Sequence, residues 1–170
     1  METKNLKSLV KFIILYCQNK GMSISPLKLQ KLLYYVQVWN IIKFDKYTLF
    51  DELPEAWVNG PVYRSVYNTF KDKFFRNDNF KYNFDEVKLS EEISQKLKEL
   101  SLSEDQQKLL FAVLDSYGVM SDEKLVFLTH KESPWNEARE GLSPIERSTN
   151  TITVDSIYNY YTARLKNKNA

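Results

Sequence analysis

The segment Lys28–Phe70 constrains this chain more than any other, opening on KLQKLLYYVQVW and continuing through LFDELPEAWVNGPVYRSVYNTF. In its first half, Leu29, Leu32, Leu33, Val36 and Trp39 recur at helical spacing along one face. Leu27, Tyr34, Val38 and Ile41 fall on nearly the opposite face, with Gln30 and Gln37 aligned as a narrow polar stripe between them. A helix that is apolar on two sides must be covered on two sides. The spacing therefore predicts a buried central helix over about residues 25–43, with Ser25 as N-cap and Pro26 at its first position.

The rest of the chain supplies the cover. Leu6, Val10, Ile13, Ile14 and Cys17 share one face of a first helix that Gly21 stops. Phe44–Asn59 reads as loop, with a short strand around Tyr47–Phe50. Gly60-Pro61 reads as a turn that reseeds a helix, with Val62, Val66, Thr69 and Phe70 inward. Asn77-Asp78-Asn79 breaks the chain, and the alternation in Phe80–Leu89 suggests a second short strand. Further helices follow: Ser90–Leu100, one opened by the capping box Ser103…Gln106, one from Ser121 through Leu128, and one at Ser133-Pro134. A last helix over about 155–166 is capped by Thr153 or Asp155. The expected fold is mostly α: a single compact domain over 1–170, with six to eight helices and at most a minor β element.

Composition narrows the chemistry. Net charge is +2 on 170 residues, which argues neither for nor against a nucleic-acid partner. Cys17 is the only cysteine, so there is no intrachain disulfide framework and no multi-thiolate metal site. His130 is the only histidine, so neither a zinc site nor any other metal centre is expected. Nucleophilic catalysis would need Cys17 and His130 in contact plus a third group to orient the ring, and His130 is better read as a helix C-cap. The acidic pairs Asp51-Glu52, Asp85-Glu86 and Asp122-Glu123 are adjacent residues that point apart on a helix, which suits a solvated face. Four glycines build no phosphate cradle. No catalytic residue and no cofactor is expected. The N-terminus lacks a signal-peptide pattern, and no stretch approaches the roughly 20 apolar residues of a membrane span. A soluble, cytoplasmic protein follows.

Two surfaces could bind partners. Arg64, Lys71, Lys73 and Arg76 accompany Tyr63, Tyr67, Phe74 and Phe75, a mixture able to contact phosphate and stack bases. The plainer reading is that the basic residues snorkel from a helix whose aromatics are core. Trp39, Trp57 and Trp135, with Tyr35 and Tyr63 as exposed companions, leave room for an aromatic binding face.

Three blocks carry a family resemblance: Lys28–Gln37 (KLQKLLYYVQ); Phe50–Val62 (FDELPEAWVNGPV) with Val66-Tyr67; and a third from Tyr117-Gly118 through Ser121, Glu123-Lys124-Leu125 and Thr129-His130 to Pro134-Trp135 and Ala138-Arg139. In this order and spacing, over about residues 8–140, the chain resembles the Panacea domain, the SocA-like antitoxin domain also found in phage-associated proteins. The resemblance implies a helical antitoxin that neutralises a cognate toxin protein by binding. In some members it implies an adaptor delivering the toxin to a Clp-type protease.

By the same likeness, Gln30, Lys31, Tyr34, Trp57, Gly60, Pro61, His130, Pro134 and Trp135 form the motif centre. Trp57, Gly60, Pro61, Pro134 and Trp135 are expected to hold two loops against helix two, with Gln30 and Lys31 as polar contacts to those loops or to a partner. The alternative is a nucleic-acid-associated regulator of a prophage or mobile element, acting through the Arg64–Arg76 face.

Overall fold

The computed structural model describes residues 2–169, with side chains from residue 5 onward. Met1 and Ala170, the ends of the expected domain, lie outside the described residues. The helices are α1 (Glu2–Asn19), α2 (Pro26–Lys43), α3 (Arg64–Thr69), α4 (Lys71–Arg76), α5 (Glu86–Leu100), α6 (Glu104–Tyr117), α7 (Asp122–His130), α8 (Ser133–Ala138) and α9 (Val154–Lys168). A hairpin of β1 (Glu55–Trp57) and β2 (Gly60–Val62) sits between α2 and α3.

The mostly helical, single-domain fold is the expected one, and α2 is its axis. Helices α1, α4, α6, α7 and α9 and strand β2 all pack on it. Leu29, Leu32, Leu33, Tyr34, Tyr35 and Val38 are fully buried, and so is the polar stripe. Ser25 caps the helix through a hydrogen bond from the Lys28 amide (3.0 Å), with Pro26 following in the first turn. Helix α1 is packed mainly against α5, whose Leu89 and Leu100 are buried and whose Ile93 and Leu97 lie against the core. The capping box of α6 forms both ways, Ser103 N to Gln106 Oε1 (3.0 Å) and Gln106 N to Ser103 Oγ (3.2 Å).

Polar residues on the two long helices pin irregular chain segments by two-point amide pairing. The Gln37 Nε2 donates to Phe50 O (2.8 Å) while its Oε1 accepts from Leu49 N (2.9 Å). Gln18 does the same with Tyr82, at 2.7 and 2.8 Å. Each amide substitutes for one rung of a sheet ladder, satisfying backbone groups that have no strand partner.

Several local expectations are corrected. Tyr47–Phe50 is not a strand; its backbone is held by Gln37 and by Asn40, whose Nδ2 donates to Tyr47 O (2.6 Å). The strand lies later, at Glu55–Trp57, and Gly60-Pro61 is part of β2 while Val58-Asn59 makes the turn. Phe80–Asp85 forms no strand among the described residues; Phe80 N donates to Ile24 O (2.8 Å) and Tyr82 pairs with Gln18, so burial alternates without a ladder. From Glu86 onward the chain is already in α5. The helix after the hairpin breaks at Phe70, which raises the count to nine among the described residues. Thr69 is exposed rather than inward. His130 is the last residue of α7, with Lys131 as the C-cap. Thr153, not Asp155, caps α9 (3.1 Å from Ser156 N).

Candidate functional site

The hairpin is three residues on each side, too short to hold itself in water. Side chains fix it from below. Gln30 pairs with Tyr63 at both ends of its amide (Nε2 to O 3.2 Å, N to Oε1 2.8 Å). Lys31 Nζ donates to Pro61 O (3.0 Å) from a fully buried position. Burial pushes the Lys31 ammonium down to about 7, with Asp122 opposing the shift. Gly60 crosses directly over this lysine. Its φ is +101°, and a Cβ there would stand 2.6 Å from Lys31 Cε and 2.7 Å from Thr129 Oγ1. The glycine is thus required both by conformation and by space.

The outer edge of β1 is covered too. Ala56 N donates to Asn150 O and Ile152 N to Pro54 O, both at 2.8 Å. Arg139, buried, donates to Ala56 O (2.9 Å), Ser143 O (3.1 Å) and Glu146 O (2.6 Å), spending its cation on three carbonyls. From the first turn of α8, Trp135 Nε1 donates to Trp57 O (2.9 Å). The His130 ring stacks on Trp135 at 4.1 Å, and Arg139 lies over the same indole at 5.1 Å. Pro134 is buried in the first turn of α8. Burial lowers His130 from its ordinary value, opposed by the backbone of Val58.

The structure therefore brings Gln30, Lys31, Trp57, Gly60, Pro61, His130, Pro134 and Trp135 around one hairpin. Tyr34 lies in a neighbouring buried cluster. There Glu132 Oε1 accepts from Tyr35 Oη (3.0 Å), while Glu132 Oε2, Tyr34 Oη and Tyr161 Oη have no hydrogen-bond partner among the described residues. Burial raises the Glu132 carboxyl above its usual range, against the pull of the neighbouring tyrosine hydroxyls.

Gln30, Lys31 and Tyr34 are fully buried, so they face the fold and not a partner's surface. Cys17 is also buried, its thiol pushed up to about 11, and no hydrogen bond joins it to His130 among the described residues. Tyr35 and Tyr63, expected on the surface, are fully buried. The three tryptophans divide. Trp39 packs edge-on to Tyr161 and donates to Tyr117 Oη (2.9 Å), and Trp135 belongs to the core. Trp57 is half-buried at the surface, its Nε1 on Glu55 Oε2 (2.6 Å).

Beside Trp57 opens a groove of about 680 Å³ between the hairpin tip, α3–α4 and residues 147–149. Trp57, Tyr67 and Phe74 form an edge-to-face row, with centroids 4.8 and 5.1 Å apart. Arg64, Lys71 and Arg147 ring it, and Asn59 and Asn68 add exposed amides. Of the basic-aromatic mixture read in the sequence, Arg64, Lys71, Tyr67 and Phe74 meet here. Tyr63 turns inward, Arg76 pairs with Asp78 (3.2 Å), and Phe75 is exposed rather than core. Arg147 arrives from far along the chain, and no local pattern marks it.

A family model described as antitoxin SocA-like, Panacea domain, matches residues 29–136. No curated protein and no solved structure matches the chain. The match begins in α2 and ends in α8, a narrower interval than the 8–140 suggested by the sequence blocks. It covers more than half of the chain and contains every motif residue gathered at the hairpin or beside it, so the chain belongs to the SocA-like antitoxin, Panacea domain family.

Proposed function

We propose that this chain is the antitoxin of a toxin–antitoxin pair, a cytoplasmic protein that neutralises a cognate toxin by binding it and catalyses no reaction. The family match carries the reading. The geometry supports it, because the motif residues build a fixed hairpin that forms one wall of an open groove. A rigid wall lowers the ordering cost of association. Delivery of the toxin to a Clp-type protease is a second mode of the same function.

Co-expression with each adjacent reading frame tests it. The expected result is growth rescue with a co-purifying complex. Rescue without a complex, lost in protease-deficient cells, identifies the delivery mode; toxicity in a neighbour that this chain does not relieve refutes the reading.

The alternative, a nucleic-acid-associated regulator, draws on the same groove, where Arg64 and Lys71 stand beside Tyr67 and Phe74. It requires affinity that falls steeply with salt, by about one unit of log–log slope per phosphate contacted.

A further inference from the structure

We infer that the groove beside Trp57 is the seat of an extended acidic segment of the partner protein, one that carries apolar anchors. The inference rests on the antitoxin reading for the identity of the partner, and on the groove itself for its chemistry.

Charge is the first observation. The chain as a whole is nearly balanced, with 24 basic and 22 acidic residues. The groove is not: among the described residues three cations line it and no carboxylate does. Arg64 is already held bidentately by Glu55, with Nε to Oε1 at 2.8 Å and Nη2 to Oε2 at 2.7 Å. Lys71 and Arg147 are exposed, and neither pairs with a carboxylate among the described residues. Two uncommitted cations lining one groove attract an anionic strand laid in it.

Shape and polarity are the second. A volume of about 680 Å³ lies within the range that takes a small ligand or a few residues of peptide. Asn59 and Asn68 offer exposed amides, with no side-chain hydrogen bond among the described residues, suited to the backbone of an extended segment. Tyr67 and Phe74 offer half-buried apolar surface for anchoring side chains. Phe75, next to Phe74, is 94% exposed, and Ile145, two residues before Arg147, is 84% exposed. Exposed apolar side chains this near in sequence to the groove's lining suit a protein partner better than a polyanion.

Ring orientation is the third, and it separates protein from nucleic acid. Trp57 carries the Arg64 guanidinium over its ring at 5.5 Å. Tyr67 meets Trp57 at 64° and Phe74 at 63°. The row offers no succession of parallel open faces on which consecutive bases could stack.

The test uses the whole chain and a variant with both groove cations reversed, Lys71→Glu with Arg147→Glu. A control reverses two exposed cations elsewhere, Lys43→Glu with Lys81→Glu, and circular dichroism verifies that both fold. Where a neighbouring toxin is found, its complex decides. The groove variant is expected to bind it about tenfold or more weakly and to lose rescue, while the control retains both. Undiminished binding and rescue by the groove variant overturn the groove and leave the antitoxin reading standing.

Where no neighbour proves toxic, the antitoxin reading falls. Fluorescence anisotropy with a labelled octapeptide of alternating Glu and Leu/Phe then decides the groove. Binding that weakens about tenfold in the groove variant, and is absent for a Lys-for-Glu peptide, sustains it. No binding of the acidic peptide at low salt, or tighter binding of oligo(dT) than of the peptide, overturns it.

Discussion

Gly60 shows how one position can be fixed for two separable reasons. Its φ of +101° disfavours any L side chain, and the Lys31 and Thr129 side chains fill the space a Cβ would need. Gly141 has the first constraint alone, with φ +81° and nothing within 4 Å of its would-be Cβ. Gly60→Ala is expected to cost about 2–4 kcal/mol in urea unfolding, against about 1 kcal/mol for Gly141→Ala. Equal losses would mean that Lys31 moves aside freely.

Lys31 adds a pH signature. Its ammonium is pushed down to about 7 in the fold, whereas in the unfolded chain it keeps its ordinary value of 10.5. Between these values the unfolded chain binds more protons than the folded one, so this lysine makes stability rise with pH across that window. Below about pH 7 both states are protonated and the full burial penalty remains. Lys31→Met should therefore flatten the slope of the urea midpoint between about pH 7 and pH 10; an unchanged slope would assign the pH dependence to another group.

At the scale of the element, periodicity explains what was legible. Helix α2 repeats its apolar spacing over 18 residues, and Ser25-Pro26 announces its start in the local chain. The hairpin was not legible, because three residues per strand give no alternation to detect and Gly60-Pro61 carries the composition of a turn. The motif residues were named from family likeness, but burial could not be read for Lys31, since a lysine at the start of a helix is ordinarily a surface residue. The glutamine stripe was visible as a line, while its targets lie in loops whose paths only tertiary structure sets. Gln37→Leu should leave Leu49 N and Phe50 O without partners, a loss of about 2 kcal/mol or more. Hydrogen exchange would show it as lost protection at Leu49 with Tyr82, held by Gln18, unaffected.

Across the whole molecule, the junction of α2, α6, α8 and α9 closes over a carboxylate. Glu132 sits among Tyr34, Tyr35 and Tyr161, with no cation within ion-pair distance among the described residues. Its folded value is raised by burial. From the ordinary carboxylate value up to that raised one, the folded chain binds more protons than the unfolded chain. This group thus makes stability fall as pH rises across that window, the opposite sign to Lys31. Glu132→Gln keeps an acceptor for Tyr35 and removes the charge. Its Tm should exceed that of the parent by a few degrees at neutral pH, and the two should converge near pH 4. A lower Tm at neutral pH would mean that the ionised carboxylate is stabilised by the tyrosine hydroxyls.

The inward orientation of the motif residues has a consequence for how such a molecule changes over generations. Gln30, Lys31 and Trp135 are committed to the backbone of the hairpin and its flank, and Gly60 to the space over Lys31, so altering any of them disturbs the frame. Asn59, Asn68, Lys71 and Arg147 stand outside that network on exposed surface, where substitutions cost little stability. A lineage could therefore rewrite its recognition face repeatedly while inheriting the same foldable core. Heritable novelty would be confined to a few surface letters, leaving the signature that identifies the family silent about whom each member binds.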